Sequence, residues 1–219
     1  MRYIHKGEEP TGFSQWKGQK NEEWTPTWDD LRTPQKPMVH DALLQEQGYI
    51  CCYCGRRITR DTSHIEHLKP RKTYPNLALE YTNLLASCQR ERERREPLHC
   101  GSKKDDWYDE HLMVSPVDAN CAEFFRYTDD GQILATEVTE KKSAAQTTID
   151  KLGLDIDKLN AMRRAAIEVI LEGMDKLTTQ EEKQKEKQKL LQGFEQPDAN
   201  GQYEEFCAAI AYILKTYYP

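Results

Sequence analysis

The stretch Ser63–Arg71, SHIEHLKPR, sets two imidazoles three residues apart around a carboxylate and follows them with a Lys-Pro-Arg cluster. A core strand could not bury this set unpaired, because desolvating a charge without a partner is expensive. The residue types suit proton transfer by an imidazole and cation binding by a carboxylate. They do not suit a zinc metalloprotease, which needs His-Glu-x-x-His to put two imidazoles on one helical face. Just upstream, CCYCG carries a C-x2-C pair, Cys51 and Cys54. The two-residue gap lets a tight turn aim both thiolates at one tetrahedral ion. Cys88 and Cys100 offer the second pair, closed by the QRERERREPLH loop, with His99 as the alternative fourth ligand. A structural zinc on Cys51, Cys54, Cys88 and Cys100 would contribute folding energy to a charged segment with little apolar surface to bury. Cys52, Cys121 and Cys207 fit the role of buried thiols.

The elements that must position these residues follow from pattern. Residues 1–37 are rich in Pro, Gly and Trp without a sustained period, which predicts an irregular arm wrapped on the body. Trp16, Trp24 and Trp28 each need burial there. A short helix is expected over 37–47, stopped by Gly48. Two apolar runs around Asp130-Gly131 signal a hairpin. Helices are expected over 143–152 and over 155–177, the latter with Leu159, Met162, Ala166, Val169, Ile170 and Leu177 on one stripe. EEKQKEKQKLLQ predicts an exposed polar helix. Residues 203–217 predict an amphipathic one with Phe206, Ile210, Ile213, Leu214 and Tyr217 inward. The expected architecture is α+β in three regions: an arm and short helix over 1–48, a metal-organised core with a hairpin over 49–138, and a mostly helical part over 139–219.

Composition narrows the function classes. The 219-residue chain is 31% charged and 37% apolar. Its longest apolar run, Phe206–Leu214, has nine residues, too few to span a bilayer. MRYIHKGEEP lacks the apolar stretch of a secretory signal. Seven cysteines, an odd number, then point to reduced thiols in a cytoplasmic protein. The net charge is -6, yet residues 51–104 hold twelve Lys or Arg against six Asp or Glu, so that segment is +6 and the remainder -12. A basic centre in an acidic frame suits a phosphate-facing site.

Between the cysteine pairs lie Glu66-His67-Leu68-Lys69-Pro70 and Asn83-Leu84-Leu85-Ala86-Ser87-Cys88. In this order the sequence resembles the HNH endonucleases, in which a β-hairpin and a helix grip one divalent ion (the ββα-metal arrangement) and a zinc knuckle often staples the fold. The resemblance widens with KGEEP, EQGYICCYCGRRI, HCG-x-KK and SP-x-DANC-x-EFFRYTDDG. Over roughly residues 1–135 it is to the HNH subunits of Septu anti-phage systems, PtuB, and their retron-associated relatives. It implies a PtuA-like ATPase partner, a defence role and a nucleic-acid substrate, with DNA the first choice.

Phosphodiester hydrolysis needs an activated water and charge stabilisation on the phosphate. His67 is the expected base, and Glu66 the expected ligand of Mg²⁺ or Mn²⁺. By strand alternation Glu66 and His67 would point apart; the resemblance implies a turn at this point that brings both to the metal side. His64 shares a face with Glu66 and is either a second ligand or a phosphate donor. Asn83 is expected to orient the His67 loop through backbone hydrogen bonds. Lys69, Arg71 and Lys72, with Arg56 and Arg57, are the expected phosphate contacts. One departure stands out. The family closes with His or Asn after the last zinc cysteine, whereas Cys100 is followed by GSKKDDW. Asp105 is the substitute expected, with Asp106 and His99 behind it. The competing reading is a non-catalytic zinc module that binds nucleic acid or protein.

Overall fold

The computed structural model describes residues 1–89 and 96–218; most of the arginine-rich run thought to close the second cysteine pair lies outside the described residues. In chain order the elements are α1 (Thr11–Lys17), α2 (Gln35–Glu46), β1 (Ser63–His67), β2 (Leu84–Cys88), α3 (Gly101–Lys104), β3 (Phe125–Tyr127), β4 (Ile133–Ala135), α4 (Thr139–Leu152), α5 (Asp157–Asp175), α6 (Gln180–Glu195) and α7 (Cys207–Tyr217). The class is mixed, with helices around two separate two-stranded antiparallel sheets, β1-β2 and β3-β4.

The β1-β2 hairpin positions the chemistry. Ser63 pairs with Cys88 and His67 with Leu84, so strand order alone carries the acidic-His pair and a zinc cysteine on adjoining strands. All five residues of β2 are buried. This corrects the expectation that the charged segment has little to bury: its charge sits in the connections, while LLASC packs against α2. Helix α2 presents Val39, Leu43 and Leu44 inward at helical spacing. The free edge of β2 is then satisfied by a side chain. Gln47, just after α2, donates to the Ile50 and Ala86 carbonyls at 2.9 Å each and accepts from the Ala86 amide at 2.7 Å. A buried strand edge without such partners would be costly.

The arm is less irregular than its composition predicts. TGFSQWK forms α1, too short for a period to show in sequence, and it buries Phe13 and Trp16. Trp24 lies edge-on to Trp16 with ring centroids 5.9 Å apart. Helix α2 stops where Gly48 takes φ 59°, a position at which a Cβ would lie 2.4 Å from the Tyr203 ring.

The hairpin around Asp130-Gly131 is present as β3-β4. Helix α4 starts at Thr139, a turn earlier than its apolar residues indicate. Along α5 the buried stripe is Leu159, Arg163, Ile167 and Met174, and Val169, expected within it, is 69% exposed. Helix α6 buries only Phe194, and its start is fixed by a capping box between Thr179 and Glu182. Helix α7 buries Ile210, Ile213 and Leu214, with Phe206 just before it; Tyr217, expected inward, is exposed in the last turn. The C-terminal region is bound to the cysteine turn. The Tyr203 amide donates to the Gly48 carbonyl at 3.0 Å and the Phe206 amide to the Gly55 carbonyl at 2.9 Å.

Candidate metal centre and active site

Cys51, Cys54, Cys88 and Cys100 bring their Sγ atoms within 4.8 Å of one another. Tetrahedral zinc with Zn–S bonds of about 2.3 Å needs sulfurs about 3.8 Å apart, and Cys54 and Cys88 stand at 3.8 Å. The donor set fits a structural zinc. Four thiols so close also compete for negative charge. Despite burial, hydrogen bonds from Cys100 and its other neighbours hold Cys51 well below the ordinary thiol value, while burial first and those same bonds second push Cys100 well above it. A cation relieves that conflict by accepting thiolates together. His99, the alternative ligand, stands outside the four. Its Nδ1 lies 3.6 Å from Cys88 Sγ and 3.3 Å from Cys100 Sγ, the geometry of a donor to bound thiolates.

Two short antiparallel strands and the four-residue α3 meet beside this cluster. Cys100 takes φ 55°, its amide donates to the Leu152 carbonyl at 2.7 Å, and the chain turns into α3. A cavity of about 560 Å³ opens there, lined by His64, Glu66, His67, Arg71, Lys72, Gly101, Asp105 and Asp106 among others. The turn expected between Glu66 and His67 is absent: β1 runs through His67, and the turn follows it. Both side chains reach the cavity nonetheless.

His67 is held on two sides. Its Nε2 stands 3.0 Å from the Ala78 carbonyl. A carbonyl only accepts, so Nε2 carries the proton and Nδ1 keeps its lone pair. Trp28 lies edge-on to the imidazole with centroids 4.3 Å apart. Burial, partly offset by the Ala78 bond, pulls His67 down from 6.5 to about 4, so the ring is neutral near pH 7. The loop behind it is tied by Asn83, whose Oδ1 accepts from the Lys69 amide at 2.8 Å. Asn83 Nδ2 donates to the Lys69 and Leu77 carbonyls at 3.0 and 3.1 Å.

Glu66 is buried. Lys104 Nζ approaches its Oε1 at 2.8 Å, and Tyr53 donates to the same oxygen at 3.3 Å. His64 Nε2 stands 3.4 Å from Oε2. Burial alone would raise this carboxyl, yet His64 and Lys104 hold it below the usual carboxylate range. Lys104 also donates to the His67 carbonyl at 2.9 Å, so one ammonium fixes both residues of the pair. No spacing in the sequence distinguishes Lys104 from its neighbour Lys103, and neither it nor Trp28 stood out as a site residue. Gly101 explains how His64 comes so close. A Cβ at residue 101 would sit 2.5 Å from Glu66 Oε2 and 2.8 Å from His64 Nε2.

Among the other expected site residues, Asp105 and Asp106 line the cavity, and Lys72 pairs with Asp106 at 3.2 Å. Arg71 lines it too, 3.6 Å from Asp29. Lys69 lies over the Tyr74 and Tyr108 rings. Arg56 and Arg57 do not line the cavity. The Arg57 guanidinium donates to the Gly48, Tyr49 and Tyr203 carbonyls, which explains the residue as a brace for the C-terminal segment.

Cysteine frame, hairpin and acidic-His pair together resemble the HNH endonuclease class. No family model matches the sequence. The chain is similar to a Vibrio cholerae serotype O1 biovar El Tor protein named "Retron Vc95 putative HNH endonuclease", 35% identical over 141 residues, or 62% of this chain and 66% of that one. It is also similar to the Septu protein PtuB of Bacillus thuringiensis, 31% identical over 149 residues, or 65% of this chain and 51% of PtuB. A third or more of each relative's own length is thus unmatched.

Proposed function

We propose that the chain is a metal-dependent HNH endonuclease that hydrolyses phosphodiester bonds, with a ββα-metal core formed by β1, β2 and α3. The observation that carries this reading is His67, which the Ala78 carbonyl holds through Nε2 at 3.0 Å and which lines a cavity together with Glu66. Nδ1 takes the proton of a water attacking the phosphate. Lys104 and His64 favour the charged form of Glu66, which lines the cavity where Glu66, Asp105 and His64 would hold Mg²⁺ or Mn²⁺. Such an ion supplies Lewis-acid stabilisation of the phosphate oxygens. Asn83 holds the His67 loop, and Lys69, Arg71 and Lys72 neutralise phosphates. The relatives' names give an HNH endonuclease and a Septu protein, and the family resemblance of the sequence implies an anti-phage setting, a PtuA-like ATPase partner and DNA as the first substrate to test. Seven free cysteines agree with a reducing cytoplasm. Among the described residues no helix is long and apolar enough to cross a membrane.

The test is plasmid nicking by the zinc-replete chain, with and without the ATPase subunit, across a Mg²⁺ and Mn²⁺ series. Cleavage that depends on the added divalent ion is expected. Nucleic-acid binding without cleavage under every combination favours the non-catalytic zinc module instead.

A further inference from the structure

A second groove, of about 730 Å³, adjoins the cavity and shares His64, Ile65, His67 and Arg71 with it. Its outer wall is built by the segment before α2, by α2 itself and by the turn that leads into β1. These supply Arg32, Lys36 and Arg60, with Trp28 between them and His67. The lining includes four Arg or Lys and no Asp or Glu. That is a marked local excess in a chain of net charge -6.

The two openings differ in their carboxylates. Glu66, Asp105 and Asp106 line the cavity together with Arg71 and Lys72, whereas the groove lining holds Arg32, Lys36, Arg60 and Arg71 and no carboxylate. Carboxylates do approach from outside: Asp41 lies 3.0 Å from Arg60, and Asp29 lies 3.6 Å from Arg71 with its own side chain 90% exposed. Solvent-exposed pairs of this kind are weak and yield readily to a competing phosphate. Lys36 Nζ and the Arg71 guanidinium carbon each stand 5.3 Å from the Trp28 ring centroid, so the indole and its cations form one surface. Cations beside a partly open indole are what a sugar-phosphate backbone with an adjoining base uses.

We propose that this groove holds the phosphodiester backbone of the strand being cut, leading it past Trp28 and His67 into the cavity. Arg32, Lys36, Arg60 and Arg71 contact phosphates, and Trp28 faces the sugar or base beside the reacting phosphate. The proposal rests on the nuclease reading and names residues of the N-terminal region as its substrate track.

The test measures binding apart from cleavage. Fluorescence anisotropy would follow labelled single-stranded DNA, duplex DNA and single-stranded RNA of one sequence, titrated with the zinc-loaded chain without Mg²⁺ or Mn²⁺ over a salt series. Comparing the three arms identifies the source of the backbone. In the double variant Arg32→Gln/Lys36→Gln the salt slope should fall by about 1.4 on single strands, or about 1.8 on duplex, two contacts at about 0.7 or 0.9 each. Affinity should fall with it. The matched variant Lys185→Gln/Lys189→Gln, which removes two charges from α6, should keep the parental slope. A parental slope in Arg32→Gln/Lys36→Gln, or an equal loss in the α6 variant, would overturn the proposal. Because no bond is broken in this assay, a chain that binds through the groove but never cuts contradicts only the nuclease reading.

Discussion

His67 gains its chemistry from surroundings that no motif spells out. Burial lowers it to about 4, so the neutral base persists far below the value of a free imidazole. If His67 is the base of the proposed nuclease, the acid limb of cleavage belongs near pH 4, and a pH-rate profile should stay flat between pH 7 and 6, where an unperturbed histidine would begin to lose activity. The same depression bears on stability. Protonation favours the unfolded chain, whose histidine titrates near 6.5, so the contribution is complete above that value and is lost as pH falls toward 4. Lys104 governs the other half of the pair. With Lys104 side chain 1% and Glu66 side chain 9% exposed, Lys104→Met should cost about 3–5 kcal/mol by leaving a buried carboxylate unpaired. Denaturant unfolding measures this, and the double variant Lys104→Met/Glu66→Gln should recover part of the loss. At this scale the residues with distinctive spacing, Glu66, His67, Asn83 and the cysteines, stand out in the sequence. The structure places Glu66 and His67 at one cavity, Asn83 behind it and four of the cysteines in one cluster. Lys104 and Trp28 do not stand out, because each reaches the pair across the fold.

At the level of elements, the cysteine cluster and the hairpin depend on one another. Cys88 ends β2, Cys100 directly precedes α3, and Cys51 and Cys54 follow α2 across a short turn, so one ion would join three elements. Chelation of zinc should unfold this region first, seen as loss of protection in hydrogen exchange at β1 and β2, and Cys54→Ser should bind less than one equivalent of metal. The approach of α3 to β1 carries its own prediction. Gly101→Ala places a methyl group against Glu66 and His64. It should weaken Mn²⁺ binding, measured by calorimetric titration, while leaving zinc content unchanged. Period and turn signals located α2, the β3-β4 hairpin and the C-terminal helices. They missed α1, whose seven residues span too few turns to show a stripe, and the turn that the family resemblance implied between Glu66 and His67 is replaced by continuing strand. Alternation there was a sound local rule, yet Glu66 and His67 both line the cavity.

Across the whole molecule, the C-terminal helices support the metal region as well as themselves. Arg57 bonds Tyr203 from the cysteine turn, Phe206 bonds Gly55, and Arg2 donates to the Phe194 and Glu195 carbonyls. Truncation after residue 202 should expose the surface that Phe206, Ile210, Ile213 and Leu214 cover, and should lower both solubility and zinc retention. The sequence divides into arm, core and helical part by composition, but nothing in it shows that 203–206 reaches back to the cysteine turn. Such long-range pairings leave no periodic trace. The polar face of α6 remains open to solvent, which agrees with its nearly uniform polar sequence.

The most direct test of the account is divalent-dependent nicking by the parent and by His67→Ala, assayed with the ATPase subunit present and with zinc measured in both. The account predicts a loss of about 100- to 10,000-fold in the variant, the range of a missing general base, at equal zinc content. A His67→Ala chain that nicks as fast as the parent would contradict it.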